Sequence, residues 1–221
     1  MFFIDTRHGY GNRDLDSFWK GGEESLDRIL GLLGVAVQSG DTALDVGCGV
    51  GRLTRVLAGR AHEVYGLDVS SEMLMRAREL HSGLHNVHWV QGDGRGLAPI
   101  GDASIDACVA HVVFQHIPDP DITLGYVKEI GRVLSPGGWA AFEVSNDPAA
   151  HRRPPLPRRL TRRLAARAGW RPSGQDDPAW LGSAVPLADL REAAAEGGLR
   201  VERILGEGTL FCLVLARRAR A

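Results

Sequence analysis

The sequence has few of the features that mark a specialised class of protein. Its 221 residues include three cysteines and no CxxC pair, which argues against a disulfide framework and against a structural zinc site. No apolar run approaches the roughly 20 residues of a membrane-spanning helix. The first residues do not resemble a signal peptide. We therefore expect a cytoplasmic protein.

Charge is balanced overall but unevenly placed. The formal net charge is −1, so the whole molecule lacks the field that would attract nucleic acid or an anionic membrane. One segment differs, because eight arginines lie between Arg152 and Arg171 with no acidic residue among them. This cluster could meet an anionic partner, or it could be the solvated face of a helix whose apolar stripe covers a site.

Strands and helices alternate along most of the chain, which predicts an α/β fold with a mostly parallel sheet. Leu26, Ile29, Leu30 and Leu33 recur at helical spacing. The strand predicted over Ser104–Val113 is almost entirely apolar, as in a sheet covered on both faces. The other predicted strands are Thr42–Val46, Glu63–Asp68, Val87–Gln91, Trp139–Val144, Leu199–Leu205 and Thr209–Ala216, and the later helices are Asp121–Leu134 and Leu187–Glu196. The last two strands are joined by three residues and should form an antiparallel hairpin.

We expect one domain over residues 1–221, with two additions to its core. Residues 1–40 should supply an N-terminal lid and the first helix. Residues 146–185 contain six prolines and the arginine cluster, and they separate the fifth strand from the last helix. Because this stretch is too long for an ordinary connection, we interpret it as a cap or lid insertion.

A glycine-rich turn follows the first predicted strand, in the order Asp45-Val-Gly47-Cys-Gly49-Val-Gly51. Glycines let a ligand approach the backbone closely, and the helix that begins there offers amide groups to an anion. The dinucleotide pattern GxGxxG would need a third glycine where this chain has Arg52. A nicotinamide-dependent oxidoreductase is therefore a disfavoured alternative.

This turn resembles the first motif of the class I S-adenosylmethionine-dependent methyltransferases, which is D/E-x-G-x-G-x-G. Asp68, Asp93 and the segment Leu134–Gly138 follow in the order and spacing of that family, and the resemblance extends to its small-molecule, ubiquinone-biosynthesis-type members. It implies a Rossmann-like, doubly wound sheet of seven strands in the order 3-2-1-4-5-7-6, with strand 7 antiparallel. It also implies S-adenosylmethionine as cofactor and S-adenosylhomocysteine as product.

The resemblance assigns a part of the cofactor to each acidic residue. Asp45 would lie near the ammonium group of the methionine moiety, Asp68 would accept hydrogen bonds from the ribose hydroxyls, and Asp93 would contact the adenine amino group. The cofactor-binding residues that we expect are Tyr10, Trp19, Asp45, Gly47, Cys48, Gly49, Gly51, Asp68, Val69, Met73, Gly92, Asp93, Gly94, His111 and Val112.

The acceptor should bind beyond the fourth strand, since ligands of open α/β sheets lie at the carboxyl ends of strands. His116 followed by Ile117 resembles the small-molecule members of the family. His116 could deprotonate or orient an acceptor hydroxyl, or it could hold the loop before Pro118. The expected substrate-binding residues are Phe114, Gln115, His116 and Asn146.

The predicted function is methyl transfer to an O, N or C atom of a small metabolite. Alternatives within the family are an RNA substrate or one bound to a carrier protein, and a further alternative is a non-catalytic S-adenosylmethionine-binding protein. Nucleic acid is disfavoured, because the N/D-P-P-aromatic and Pro-Cys motifs of DNA-modifying enzymes are absent. We expect no metal, since His81, His85 and His88 should diverge in direction. The protein could be a monomer or a homodimer.

Overall fold

The computed structural model of the chain describes residues 15–152 and 182–220, in which strands and helices alternate as the sequence predicts. The strands are β1 (Thr42–Val46), β2 (Glu63–Asp68), β3 (Val87–Gln91), β4 (Ile105–Ala110), β5 (Leu134–Val144), β6 (Leu199–Leu205) and β7 (Cys212–Arg218). The α-helices are α1 (Leu15–Leu33), α2 (Thr54–Ala58), α3 (Ser71–Leu80), α4 (Pro120–Val133) and α5 (Leu187–Glu196).

The strands form one seven-stranded sheet in the order β3-β2-β1-β4-β5-β7-β6. β1 to β5 pair in parallel, and β7 runs antiparallel to both of its neighbours. The predicted fold class, strand order and antiparallel seventh strand are therefore confirmed. The order reverses between β1 and β4, and the carboxyl ends of these two strands are where an open α/β sheet binds ligands.

Both faces of the central strands are buried, which explains why their sequences show no polar alternation. On one face, Ala43, Ala107 and Ala141 pack in a cluster that includes apolar residues of α1 and α2. On the other face, Leu44 and Phe142 pack in a cluster that includes apolar residues of α4 and α5. Helices therefore cover the sheet on both sides, and its strand ends remain as the place for a site.

Several predicted strand boundaries differ from the structure: β5, for example, begins at Leu134 rather than Trp139. Two of the differences have a visible cause. β4 ends at Ala110 rather than Val113, because the backbone of Val112 is left-handed, with φ of 58°, and residues 114–116 form a short 3-10 helix. β7 begins at Cys212 rather than Thr209, because the Thr209 amide and hydroxyl both donate to the carbonyl of Gly206 in a turn. The first change directs the chain after β4 across the end of the sheet.

The predicted additions to the core lie partly outside the described residues. Of the N-terminal addition, the structure describes α1 and the connection to β1, but not Tyr10. Of the predicted insertion, it describes residues 146–152 and 182–185. Most of the arginine cluster lies outside the described residues, so its anionic partner stays a prediction. None of the described helices is long and apolar enough to cross a membrane.

Two glycines of α4 should respond oppositely to replacement by alanine. A Cβ at Gly131 would lie 1.9 Å from the backbone oxygen of Gly197, which follows α5, whereas the nearest atom to a Cβ at Gly125 is 3.7 Å away. We expect Gly131→Ala to lower the free energy of unfolding by about 3 kcal/mol through overpacking. Gly125→Ala should raise it by about 0.5–1 kcal/mol, because alanine favours the helix. Urea unfolding followed by circular dichroism tests both, and equal shifts would contradict this account of the α4–α5 contact.

Candidate active site

Two adjoining cavities lie at the carboxyl ends of β1, β2 and β4. The smaller has a volume of about 240 Å³ and is lined by Asp45, Gly47, Cys48, Gly49, Arg52, Leu53, Asp68, Ser70, Met73, His111 and Val112. The larger has a volume of about 560 Å³ and is lined by Val46, Gly47, Leu67, Asp68, Val69, Gly94, Val112, Val113, His116, Ile117, Pro118, Ile122 and Tyr126. Gly47, Asp68 and Val112 line both. A ligand could therefore extend from one cavity into the other.

Glycine is required in the turn after β1 because of close neighbours as well as backbone conformation. Gly47 has φ of 72°, and a Cβ there would lie 2.5 Å from Cγ2 of Val113. Gly51 has φ of 87°, and a Cβ there would lie 2.6 Å from the ring of Trp89. The sequence predicted that a ligand approaches this turn. The structure shows that side chains of the protein approach it too.

The carboxylate of Asp68 is fixed between two loops. Its Oδ2 accepts a hydrogen bond of 2.8 Å from the amide of Gly49 in the glycine turn. Its Oδ1 accepts one of 2.8 Å from the amide of Ser70, which caps α3. Each carboxylate oxygen can accept a further bond, because an ionised carboxylate has about four acceptor positions. Asp68 thus presents a pre-oriented acceptor to both cavities.

Asp45 is a buried acid at the end of β1, with 3% of its surface exposed. Its Oδ2 accepts a 2.6 Å hydrogen bond from the hydroxyl of Thr54. Burial raises the pKa of Asp45 from 3.8 to about 7, although the Thr54 bond and the charge of Arg52 both lower it. A cation bound in the smaller cavity would favour the ionised form, because an opposite charge nearby lowers a carboxyl pKa.

Arg52 brings a buried positive charge to the same cavity, with 6% of its surface exposed. Its Nη1 donates to the carbonyl of Gly21 at 3.0 Å and to the hydroxyl of Ser25 at 3.3 Å, so it ties the glycine turn to α1. In the sequence, Arg52 stands out only as a mismatch to the dinucleotide pattern. One signal could have identified Arg52 as a site residue. It is a cationic side chain directly after a glycine turn, and that turn is expected to bind a ligand with both a positive and a negative charge.

His111 is held by an acid, Glu143, whose role the sequence did not predict. Its Nδ1 lies 2.7 Å from Oε2 of Glu143, and these two side chains are 7% and 5% exposed. The same Oε2 accepts a 3.3 Å hydrogen bond from the amide of Val112. The available signal was an acidic residue within the apolar strand Trp139–Val144, beside the strand that ends near His111.

Three of the predicted substrate-binding residues lie outside the walls of both cavities. Phe114 and Gln115 are each 1% exposed and line neither cavity, since the 3-10 helix turns Phe114 onto the rings of Tyr126 and Phe142. Asn146 also lines neither cavity. Its amide donates to the carbonyl of Val185 at 2.8 Å and accepts from the amide of Gly208 at 3.0 Å, so it joins three chain segments. His116, by contrast, lines the larger cavity.

Some predicted cofactor contacts also lie beside the cavities rather than in their walls. Trp19, a residue of α1, packs its ring 5.1 Å from that of His81. Asp93 is exposed, and its Oδ1 accepts from the amides of Arg95 and Gly96. The remaining predicted residues that line a cavity are Asp45, Gly47, Cys48, Gly49, Asp68, Val69, Met73, Gly94, His111 and Val112, whereas Gly51 and Gly92 line neither.

No group of three or more His, Cys, Asp or Glu side chains within residues 15–152 and 182–220 is arranged to hold a metal ion. His81, which the sequence analysis considered, packs against Trp19 and Trp89. Its Nε2 lies 3.0 Å from the carbonyl of Val50. Desolvation lowers the pKa of His81, which favours the neutral ring in this aromatic packing.

The raised pKa of Asp45 makes stability depend on pH with a definite sign. Between pH 5 and pH 8 the folded protein loses a proton from Asp45 that the unfolded chain has already lost, so ionisation there costs folding free energy. We therefore expect Asp45→Asn to gain stability relative to the wild type as the pH rises: the difference in the free energy of unfolding should be about 2–3 kcal/mol larger at pH 8 than at pH 5. Urea unfolding at both pH values measures the gain, and Asp189→Asn, which removes an exposed acid of α5, is the control. An Asp45→Asn gain that is the same at both pH values would contradict the assignment.

Comparisons with known proteins agree with this geometry. Residues 44–142 match the family described as "Methyltransferase domain". A malonyl-[acyl-carrier protein] O-methyltransferase of Marinomonas sp. (strain MWYL1) is 33% identical over 143 residues, which cover 64% of this chain and 51% of that protein. A demethylmenaquinone methyltransferase of Staphylococcus carnosus is 38% identical over 115 residues, which cover 51% of this chain and 46% of that protein. The chain thus matches about half the length of these relatives.

The whole fold also has solved counterparts. An S-adenosylmethionine dependent methyltransferase from Mesorhizobium loti superimposes with a TM-score of 0.64 at 19% identity, over 90% of this chain and 100% of that one. At this identity the likeness shows the fold alone. The strand order and the match over residues 44–142 identify that part of the chain as a methyltransferase domain, and the chain has the fold of S-adenosylmethionine-dependent methyltransferases.

Proposed function

We propose that the protein transfers a methyl group from S-adenosylmethionine to a small acceptor with an apolar, quinone-like ring. One observation carries the proposal: the pre-oriented carboxylate of Asp68 lies where a charged cavity meets an apolar one. The charged cavity suits the amino-acid end of the cofactor. The apolar cavity has a volume within the roughly 300–1,000 Å³ typical of ligand sites and can hold rings.

The residues of the smaller cavity fit the cofactor's charges. Asp45 and Arg52 present opposite charges to one space, which suits a group that carries both an ammonium and a carboxylate. Gly47 lines this cavity with backbone alone, which a ligand can approach closely. Asp68 can accept from a ribose diol, and Val69 and Gly94 line the larger cavity where an adenine would stack. Bound S-adenosylmethionine supplies an electrophilic methyl group on a sulfonium.

The protein's contribution to such a reaction is alignment and exclusion of water. The glycine turn and the fixed carboxylate of Asp68 hold a ligand in one orientation, which lowers the entropic cost of reaching the transition state. The apolar lining around Val113, Ile117 and Ile122 keeps bulk water from the acceptor side. The proposal uses no metal, since a methyl on a sulfonium is already electrophilic, and it yields S-adenosylhomocysteine.

The lining of the larger cavity favours an apolar acceptor. Apart from Asp68, His116 and Tyr126, its walls are aliphatic side chains and glycine. The relative named for demethylmenaquinone supports a quinone-like ring, and the relative named for malonyl-[acyl-carrier protein] supports a carrier-bound thioester as the second candidate. The aliphatic walls favour the first. His116 would then contact the acceptor and orient it.

Replacing Asp68 tests the cofactor site. Asp68→Asn removes a charge-assisted acceptor, so S-adenosylhomocysteine should bind roughly 30–100-fold more weakly by calorimetry. The control is Glu72→Gln, which removes an exposed acid paired with Arg76 on α3. It should leave the affinity within about twofold, because an exposed pair contributes little. A wild-type protein that binds no S-adenosylhomocysteine would refute the proposed function, whereas an unaffected Asp68→Asn would refute only the ribose assignment.

Acceptor specificity provides a second test. Purified protein is given radiolabelled S-adenosylmethionine with a short-chain demethylmenaquinol, a catechol or a malonyl thioester, and the labelled product is identified. We expect label in the quinol. His116→Ala should lower kcat/KM for that acceptor by roughly tenfold while S-adenosylhomocysteine affinity is unchanged, because an orienting contact is lost. Label in the malonyl thioester alone would replace the quinol with the second candidate.

A further inference from the structure

One polar side chain of the larger cavity has no role in the proposed function. Tyr126 lies on α4, one turn after Ile122, and both side chains line this cavity. Asp68 and His116 are the other polar side chains among the described residues in its walls, and the ribose and the acceptor account for them. The place of Tyr126 therefore needs an explanation of its own.

The hydroxyl of Tyr126 distinguishes this residue from its apolar neighbours in the core. The residue is 4% exposed, and its ring packs 5.5 Å from the ring of Phe114. Within residues 15–152 and 182–220, no group forms a hydrogen bond with the hydroxyl. The hydroxyl is not one of the enclosed side-chain atoms, so it faces the open space of the cavity. Because a buried tyrosine usually has a hydrogen-bond partner, this hydroxyl is available to a ligand.

The surroundings of Tyr126 keep its hydroxyl neutral. Burial raises the pKa of Tyr126, and the charges of Asp93 and Asp68 raise it further. The hydroxyl therefore stays protonated and can both donate and accept a hydrogen bond. Because both charges act on it, the hydroxyl lies on the side of the cavity where Asp68 and Gly94 form the wall.

The adenine of the cofactor needs a polar partner on that side. In the proposed function, Asp68 holds the ribose, so the base extends into the larger cavity beside Val69 and Gly94. Asp93, which the family resemblance assigns to the adenine amino group, lines neither cavity. Its Oδ1 accepts hydrogen bonds from two backbone amides of its own loop. Adenine has ring nitrogens that accept hydrogen bonds, and a neutral hydroxyl is a suitable donor to one of them.

We infer that Tyr126 recognises the base of the cofactor, by donating a hydrogen bond from its hydroxyl to a ring nitrogen of adenine. This inference rests on the proposed function and adds a specificity-determining residue to it. The packing of the ring on Phe114 holds the hydroxyl in place. Binding of the cofactor therefore breaks no hydrogen bond of Tyr126 within the described part of the chain, and the new bond adds directly to the affinity.

Calorimetry with modified adenines tests this contact without an acceptor. The ligands are S-adenosylhomocysteine and its three analogues in which N1, N3 or N7 of adenine is replaced by carbon. Tyr126→Phe should bind S-adenosylhomocysteine roughly tenfold more weakly than the wild type does, because one hydrogen bond is lost. For one of the analogues, the wild type and Tyr126→Phe should bind equally, since the nitrogen that Tyr126 contacts is already absent. The same loss for all four ligands would indicate a structural role and overturn the inference.

A second tyrosine provides the matched control. Tyr65 lies on β2, stacks on the ring of His88 and lines neither cavity, so Tyr65→Phe should keep the affinity for S-adenosylhomocysteine within about twofold. Tyr126→Phe should fold with a urea midpoint close to that of the wild type, because phenylalanine keeps the ring that packs on Phe114. A Tyr126→Phe variant that binds S-adenosylhomocysteine as tightly as the wild type would overturn this inference alone. A wild-type protein that does not bind S-adenosylhomocysteine would overturn the proposed function as well.

Discussion

The two hydrogen bonds that fix the carboxylate of Asp68 are the constraint on which the rest of the site depends. One comes from the glycine turn after β1 and the other from the cap of α3, so a single side chain aligns two loops from neighbouring strands. The turn can lie that close only because Gly47 and Gly51 have no side chains where Val113 and Trp89 pack. Loss of either contact would separate the walls that the two cavities share.

The site is built at a cost in stability, and its electrostatics show where. Burial disfavours the ionised form of Asp45. Val112 is held in a left-handed backbone conformation that β-branched residues rarely adopt. Neither feature helps the fold, because a neutral residue at 45 and a glycine at 112 would be easier to accommodate. Both lie in the walls of the smaller cavity. Such features concentrate at functional sites, where a ligand or a reaction compensates for them.

Charged side chains from distant parts of the sequence support the walls of this cavity. Arg52 connects the turn to α1 through Gly21 and Ser25, and Glu143 connects β5 to the end of β4 through His111. Helix α1 and strand β5 therefore both support the same space. In the proposed reaction, the contacts of Arg52 and Glu143 help to hold the cavity walls that align the cofactor with the acceptor.

The sequence by itself determined the architecture and predicted where the cofactor would bind. Apolar strands, helical spacing and the spacing of Asp45, Asp68 and the glycines are local signals, and one strand order in a known family satisfies them. The sequence did not predict the side-chain positions that depend on long-range contacts. Phe114 follows β4 as a pocket residue would, but the 3-10 helix turns its ring into the core against Phe142.

Only the tertiary structure decided the partners of the buried polar groups. Nothing local to Glu143 indicates that it meets His111, 32 residues away, or that Asn146 bonds to Val185 and Gly208 rather than to a ligand. Parallel strands bring their carboxyl ends together from separate parts of the chain, so the pairings across that edge follow from strand order and register. A pattern along the sequence records which groups are present, and the packing of the sheet decides which of them touch.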